Sequence, residues 1–518
     1  MTESGNKIAI ISVSDKTNIE KIAKKLVGFG YTILSTGGTA KYLNKHKISN
    51  VSISDFTKFD EILGGRVKTL HPIIHAGILA KKSSDLSNLK DDYKLIDFVL
   101  VNLYPFEQTI SKTNCSYDNA IENIDIGGPT MLRAAAKNHK RVTTLVDPND
   151  YDLVIDELIN KGNTSLTTRK RLAIKVFEHT SHYDSVISEY LSKKSTKTDL
   201  LDADKLSLTI KKLNNLRYGE NPHQKAAIYK ILNTRLCGFN FSQKSGKLLS
   251  YNNLVDSESA YSCVKQFKNP ACVIVKHANP CGVSESITIE KAYLNSFKCD
   301  PTSAFGGIIA FNRKLTSKLL NKIIKNQFVE VILSPGVSKD CLSVIKDKPN
   351  VRILAIQQSK NDGDEYDIRS LKNKILIQNS DTQILSKKDL VYPTKRKPTK
   401  TEVEDLLFAF KVSRFVKSNA IVFAKNKTTL GIGAGQMSRI DSTTIAKDKA
   451  KKSGIKLNGS VMVSEAFFPF RDNIDLAKKI GVSSILQPGG SIKDKEIIKV
   501  ADSHKISMAF SGLRVFRH

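Results

Sequence analysis

Lys276 and His277 stand side by side at the end of an apolar run in the stretch CVIVKHANPCGV. An imidazole can take or give a proton near neutral pH, and a lysine beside it can steady a developing negative charge. The residue types leave three readings open. The pair is an acid/base station at the end of a strand, or Cys272, His277 and Cys281 form a metal ligand set, or Asn-Pro-Cys-Gly merely turns the chain. A second concentration of chemistry lies in GGRVKTLHPIIHAGIL, where Arg66, Lys68, Thr69, His71 and His75 crowd together. His71 and His75 have the spacing of helical zinc ligands. Pro72 interrupts that helix and no H-E-x-x-H glutamate is present, so a cationic site for an anionic substrate is the better reading. A third stretch, ENIDIGGPTMLRAAAKNHKRV, places Asp125 before Gly-Gly-Pro and a helix carrying Arg133 and Lys137. Lys137 alone reads as a solvated helix lysine. Its neighbours Asn138 and His139, and the Gly-Gly-Pro approach, point instead to a ligand-facing helix end.

The elements that must position these residues follow from hydrophobic period. KIAIISV (7–13) reads as a strand, and Ile19, Ile22, Ala23, Leu26 and Val27 then recur at helical spacing, with Gly28 and Gly30 near the expected C-terminus. YTILST (31–36) is the next strand, GGTAKYLNKH the next helix, and 96–101 a later strand. Strands alternating with helices predict a mostly parallel α/β sheet whose ligands gather at the carboxyl ends of its strands. Two such ends, SVSDK (12–16) and STGGT (35–39), offer the free N–H groups of a starting helix, which suit phosphate. Each could equally be an ordinary cap or turn; two at one end of a sheet strengthen the ligand reading.

A helical stretch, TTRKRLAIKVFEHTSHYDSVISEYL, gives way to the unpatterned SKKSTKTDLLDADK, which predicts a linker at 196–207 between a domain at 1–195 and another at 208–518. The second domain mixes strands (ACVIV, GGIIAF, EVILS) with amphipathic helices, and weak patterning divides it near 355–400. No solenoid-type repeat is visible.

Composition bounds the function. A chain of 518 residues, 40% hydrophobic and 25% charged, exceeds one core and reads as a multi-domain globular enzyme-sized protein. No apolar run is long enough for a transmembrane helix, and no secretory signal is visible at the N-terminus. The seven cysteines (Cys115, Cys237, Cys263, Cys272, Cys281, Cys299, Cys341) lack a C-x-x-C pair, which suits a reducing, cytoplasmic setting. The net charge of +30 comes mostly from dispersed lysines mixed with acids, so it reads first as a general lysine bias, then as a preference for anionic ligands, with nucleic acid a minor share of that.

SVSDK, STGGT, GGRVKTLHP, NLYPF, IDIGGPTMLRAAAKNH and FEHTSHYD, followed in order by LRYGENPHQ, LSYNNL, CVIVKHANPCGV, DPTSAFGGIIAFN, SNAIVFAK, GIGAGQMSR, EAFFPFRDNID and LRVFRH, resemble the bifunctional purine-biosynthesis family. That family joins phosphoribosylaminoimidazolecarboxamide (AICAR) formyltransferase to inosine monophosphate (IMP) cyclohydrolase. The resemblance runs from about residue 7 to the C-terminus. It implies a methylglyoxal-synthase-like α/β domain with a mostly parallel sheet, then two cytidine-deaminase-like α/β lobes. It also implies 10-formyltetrahydrofolate as co-substrate, a homodimer, and neither nucleic-acid nor membrane partners. In the first domain it implies phosphate and base contacts at Ser14, Asp15, Lys16, Thr36, Gly37, Gly38 and Thr39, and at Arg66, Val67, Lys68, Thr69, Asn102 and Ile126. Lys137 would move the proton in ring closure, with Lys68, Tyr104 and Asp125 around it. In the second domain His277 would accept the proton of the AICAR amine beside Lys276, with Asn419 orienting the His or holding the carbonyl. Arg217, Tyr218, Gly306, Glu330, Arg439, Phe467 and Arg514 match AICAR contacts, and Ile440, Asp472 and Ser491 match folate contacts. A deaminase-like fold does not carry zinc here, because neither H-x-E nor P-C-x-x-C is present.

Overall fold

The computed structural model describes residues 7–87, 89, 93–195, 200–232, 239–346, 348–357 and 366–518. Parts of the expected linker (196–199) and of the expected lobe division (358–365), and Cys237, lie outside the described residues. The chain forms two compact units, residues 1–209 and 210–518.

The first unit is built on five parallel strands. Lys7–Val13 lies at the centre, flanked by Tyr31–Ser35 and then Val51–Ser52 on one side, and by Phe98–Asn102 and then Thr143–Leu145 on the other. The central strand is buried on both faces, as a sheet covered by helices requires. The predicted first helix is Ile19–Gly28, buried through Ile19, Ile22, Ala23 and Leu26, while Val27 turns to solvent. Gly30 follows at φ +83°, where a side chain would strain the reversal into the next strand. The expected strand at 96–101 is found as Phe98–Asn102. Just before it Asp97 already bonds both neighbouring strands, its N–H donating to the Ile8 carbonyl and its carbonyl accepting from the Thr143 N–H, while its carboxylate accepts from Arg141. A long helix, Leu166–Ser195, closes the unit.

The second unit contains one continuous sheet of eleven strands rather than two separate ones. Its middle is two hairpins. Ala271–Lys276 pairs antiparallel with Asn279–Glu285, and Ile421–Lys425 with Thr428–Gly433; the hairpins meet at Ser284 and Thr428. Outward from each hairpin run three strands in the same order and sense: Gly307–Phe311, Val329–Ser334 and Arg352–Ile356 on one side, and Val461–Ser464, Ser484–Gln487 and Ser507–Phe510 on the other; Phe241–Ser245 adds the eleventh, outermost and antiparallel beside Arg352–Ile356. The two halves are therefore topological copies. In the region where a lobe boundary was expected, an antiparallel ribbon of Tyr366–Leu371 and Lys374–Asn379 stands apart from the sheet.

One local expectation is corrected. Asn279-Pro280-Cys281-Gly282 does not turn the chain; it begins the second strand of the first hairpin, with a register shift between Pro280 and Gly282 that accommodates the proline. The turn is His277-Ala278, with both residues left-handed at φ 52° and 56°. A two-residue hairpin loop with two positive φ values matches the twist of its strands, which explains why the reversal falls there.

Candidate active site

In the first unit the carboxyl ends of the strands surround a cavity of about 630 Å³. Ser14 and Lys16 enter from the loop after the first strand, and Thr36, Gly37, Gly38 and Thr39 from the start of the helix Gly37–Lys45. Arg66, Lys68 and Thr69 enter opposite, with Asn102, Tyr104, Asp125 and Ile126 completing the wall. Asn102 clips its neighbour loop: its carbonyl oxygen accepts the N–H groups of Ser14 (2.6 Å) and Asp15 (2.9 Å), and its amide donates to the Asp15 carbonyl (2.9 Å). Ser12 and Thr36 share a hydroxyl hydrogen bond of 2.8 Å, and Thr39 bonds back to Val13, so both helix-start loops are locked together. Asp15 accepts from Thr17 and is held below the usual carboxylate range by those bonds. It faces a neighbouring cavity rather than this one, and Val67 is absent from the wall.

Cations and acids alternate along the far wall. Lys68 lies 3.8 Å from Glu61, and Arg66 pairs with Glu122; neither acid stood out in the sequence. Burial pushes the Asp125 carboxyl up, opposed by hydrogen bonds from the Gly128 and Tyr104 N–H groups and by the charge of Lys68. The Tyr104 hydroxyl is pushed up by burial and by the charges of Asp125 and Glu61. His71 caps the helix Pro72–Leu79, accepting from the Ile73 N–H, with Pro72 in the first-turn position that tolerates it. His75 lies within that helix, and neither histidine lines the cavity.

Lys137 is not brought to this cavity by its own chain. The helix Gly127–Lys137 starts at the cavity wall and ends at Lys137, about 15 Å away by helical rise. That end lies by the amino ends of the strands, where Asn138 donates to the carbonyls of Ile78 and Ala80.

At the start of the same helix, a Cβ on Gly128 would fall 2.5 Å from Asp125 Oδ2 and 2.8 Å from Leu103 Cδ2. Gly128→Ala is therefore expected to displace the carboxylate, lowering stability by about 1–3 kcal/mol in denaturant unfolding.

In the second unit one edge of the eleven-stranded sheet collects the expected residues. Lys276 and His277 close the first hairpin there, and Asn419 precedes the strand Ile421–Lys425 at the same edge. Gly306 and Glu330 sit at the starts of Gly307–Phe311 and Val329–Ser334. Arg439 and Ile440 open the helix after Thr428–Gly433. Phe467 and Asp472 follow Val461–Ser464, Ser491 follows Ser484–Gln487, and Arg514 follows Ser507–Phe510. Arg217 and Tyr218 join through backbone bonds to Leu249 and Tyr251, beyond the outermost strand.

Lys276 Nζ donates to the Phe305 carbonyl (2.8 Å), and an added Cβ on Gly306 would lie 3.2 Å from it. Glu330 accepts from Asn253 (2.8 Å) and faces Arg352 at 4.0 Å. Arg217 lies over the Tyr218 ring at 5.4 Å. The Asn419 amide donates to the Gln436 (2.8 Å) and Met437 (3.1 Å) carbonyls, and its oxygen accepts from Arg439 (2.8 Å). Asn419 thus orients Arg439 rather than His277. Arg439 in turn reaches the fully buried Glu465 at 3.2 Å and the Phe467 carbonyl at 3.0 Å. Glu465 was not legible in the sequence, because its role arises only from burial opposite Arg439. Asp472 accepts from Asn473 beside it, Ser491 accepts from the Lys493 N–H, and Arg514 stacks on Phe516 at 4.5 Å.

Cys272 and Cys281 are buried, with burial pushing both thiols up, and Cys281 donates to the Ile274 carbonyl. Among the described residues no group of three or more His, Cys, Asp or Glu stands close enough to hold a metal ion. No helix among them is long and apolar enough to cross a membrane.

Residues 18–130 match the MGS-like domain family, and residues 135–449 match the family described as AICARFT/IMPCHase bienzyme. The chain belongs to the AICARFT/IMPCHase bienzyme family. The first unit is thus an MGS-like domain with its parallel sheet, followed by the larger α/β region. A bienzyme of this family carries both formyltransferase and IMP cyclohydrolase activity, the last two steps of purine biosynthesis. The transferase of the bienzyme family uses formyltetrahydrofolate as its co-substrate. The crystal structure of ForH is 34% identical over 37% of this chain and 100% of its own, with a TM-score of 0.34.

Proposed function

We propose that the two steps are divided between the two sites, with cyclohydrolase in residues 1–195 and formyltransferase in 208–518. The observation that carries this reading is the separate gathering of two residue sets, one at the carboxyl ends of the five-stranded sheet and one along a single edge of the eleven-stranded sheet. In the second site His277 takes the proton of the AICAR amine as it attacks the formyl carbon of 10-formyltetrahydrofolate, and Lys276 steadies the developing oxyanion; the adduct then collapses by breaking the formyl carbon–N10 bond, and N10 takes a proton and leaves as tetrahydrofolate. Glu330, Arg439, Arg217, Tyr218, Gly306, Phe467 and Arg514 hold the nucleotide, and Ile440, Asp472 and Ser491 the folate. In the first site the helix start at Thr36–Thr39 takes the 5′-phosphate. Lys68, Tyr104 and Asp125 surround the ring-closing atoms, where the carboxamide nitrogen attacks the formyl carbon and water leaves. Neither step as written is routed through a metal. The expected outcome is IMP formation from AICAR and 10-formyltetrahydrofolate by the purified chain; no product by chromatography would sink the reading.

The position of Lys137 supports a homodimer. If Lys137 serves ring closure, a second copy must bring it to the cavity, because its own helix carries it about 15 Å away. Lys137→Ala and Lys68→Ala should each let formyl-AICAR accumulate. Co-expressed, the two variants should recover about a quarter of wild-type cyclisation, since half the dimers are mixed and each has one intact site. No recovery in a verified mixed dimer refutes the shared site. The free, mostly buried cysteines are consistent with a cytoplasmic protein.

A further inference from the structure

The two halves of the second unit are copies at the level of single residues. The helix caps Ser250 and Thr399, the aspartates Asp256 and Asp405, the turn residues His277 and Asn426, and the glycines Gly282 and Gly431 all stand at one constant sequence offset. The helices Tyr251–Val264 and Lys400–Ser413 both have 14 residues, and both open with a side chain bonded reciprocally to the third residue of the helix. Gly282 and Gly431 are both needed for close approach, because an added Cβ would strike the carbonyl of Ser296 in one half and of Ala446 in the other. The second hairpin, like the first, reverses through two left-handed residues, Asn426 and Lys427 at φ 53° and 54°.

Each turn is held by an aspartate from the helix packed beneath it. Asp405 accepts the N–H of Asn426 through one oxygen (2.9 Å) and that of Lys427 through the other (2.7 Å). Asp256 accepts the N–H of Ala278 through Oδ1 at 2.6 Å, and the nearby His277 N–H favours its charged form. The carbonyls of both turns are also tied, by different donors: in the second turn Thr428 donates to the Asn426 carbonyl (3.4 Å) and the Glu285 N–H to that of Lys427 (2.9 Å). The Ala278 carbonyl accepts from Ser259 (3.0 Å), where the matching position is Phe408. The His277 carbonyl accepts from Asn279 (3.1 Å), whose own oxygen accepts from Lys417 two residues before Asn419. The register puts the two turns at opposite edges of the sheet. The Asp405 turn lies away from the residues gathered around His277.

Left-handed backbone is costly for a residue with a Cβ. Neither His277 nor Ala278 escapes that cost by its own chemistry. A carboxylate held against the turn's N–H groups makes the conformation favourable and fixes the direction in which the imidazole leaves the turn.

We propose that Asp256 is a positioning residue of the formyl-transfer site: by clamping the His277-Ala278 turn it aims the His277 imidazole at the AICAR amine. The proposal rests on His277 being the base. Asp405 supplies an internal control, the matching aspartate on a turn that carries no group of the site. An amide keeps one acceptor oxygen but loses the carboxylate's charge, so it holds the left-handed turn more weakly.

The experiment compares Asp256→Asn, Asp405→Asn and His277→Ala in the full chain, assaying formyl transfer and cyclisation of supplied formyl-AICAR separately. D256N is expected to lower the kcat of formyl transfer on the order of 10²-fold, as misplacement by an ångström does. The KM for AICAR and the cyclisation rate should stay within about twofold of wild type. D405N should leave both rates unchanged while shifting the thermal midpoint as much as D256N does. Adding Ala278→Gly to D256N should restore part of the lost kcat, because glycine enters the left-handed region without help. Wild-type transfer by D256N, an equal loss in D405N, failure of D256N to fold where D405N folds, or no rescue by A278G each overturns the proposal. If H277A transfers at the wild-type rate, the underlying assignment of the base fails instead, whatever Asp256 does.

Discussion

His277→Ala lowers formyl transfer on the order of 10²–10⁴-fold, while cyclisation of supplied formyl-AICAR continues at the wild-type rate. The argument starts from the backbone. His277 occupies a left-handed turn held by Asp256 at the Ala278 N–H, not by the imidazole, so the substitution removes the ring and leaves the turn. Alanine already occupies the second left-handed position in the same turn, which shows that the clamp tolerates a methyl there. Because His277 is exposed, no core contact is lost and no cavity opens, and a fall in activity measures chemistry rather than folding. The AICAR amine is conjugated with its ring and carboxamide and is a weak nucleophile, so loss of its base falls on kcat more than on KM. Cyclisation is spared because its candidate residues lie in a different compact unit. Two outcomes would refute the assignment: transfer at the wild-type rate, or loss of both activities together.

Much of this was legible before any coordinates, and the misses share a cause. The first strand, its helix and the helix-start loops at 12–16 and 35–39 follow from hydrophobic period and small polar residues, which are local signals. Pro280 and Gly282 are local signals too, and they pointed to the wrong turn. The turn is set by Asp256, about twenty residues earlier and on another element, and only the packing of that helix beneath the hairpin reveals it. Asn419 illustrates the same point: its motif marks it as a site residue, but its partner proves to be Arg439, twenty residues on, rather than His277. The copying of the two halves was hidden because the retained features, a cap, an aspartate and a glycine, are single residues amid divergent cores. The separation of Lys137 from the cavity needed no tertiary information. Ten helical residues beyond Gly127 already place it about 15 Å off.

Asp125→Asn should abolish most cyclisation, on the order of 10²–10⁴-fold, and yet not lower stability at neutral pH. The carboxylate sits in a half-closed wall, its Oδ1 accepting the Gly128 N–H at 2.8 Å, with Lys68 the nearby cation. The Tyr183 hydroxyl, from the long closing helix, receives the Asp125 backbone N–H at 2.8 Å, so the residue is pinned from both sides. Burial, the largest influence on it, raises its pKa above that of a free carboxyl. A raised folded pKa means that the folded state holds the proton more tightly than the unfolded chain does. The corresponding stability is complete below the unfolded pKa, about 4, and is lost as pH rises through the higher folded value. At neutral pH the charged group therefore costs stability, and a neutral side chain of the same shape removes that cost. The asparagine carbonyl can still accept from the Gly128 N–H, so the helix start keeps its bond. Thermal melts of D125N should lie at or above wild type at pH 7, and the difference should vanish below about pH 4. In the same preparation AICAR and 10-formyltetrahydrofolate should yield formyl-AICAR that accumulates, because transfer in the second unit is untouched. A variant that cyclises normally would remove Asp125 from the chemistry. One that melts well below wild type at neutral pH would show that the carboxylate is held there for the fold instead.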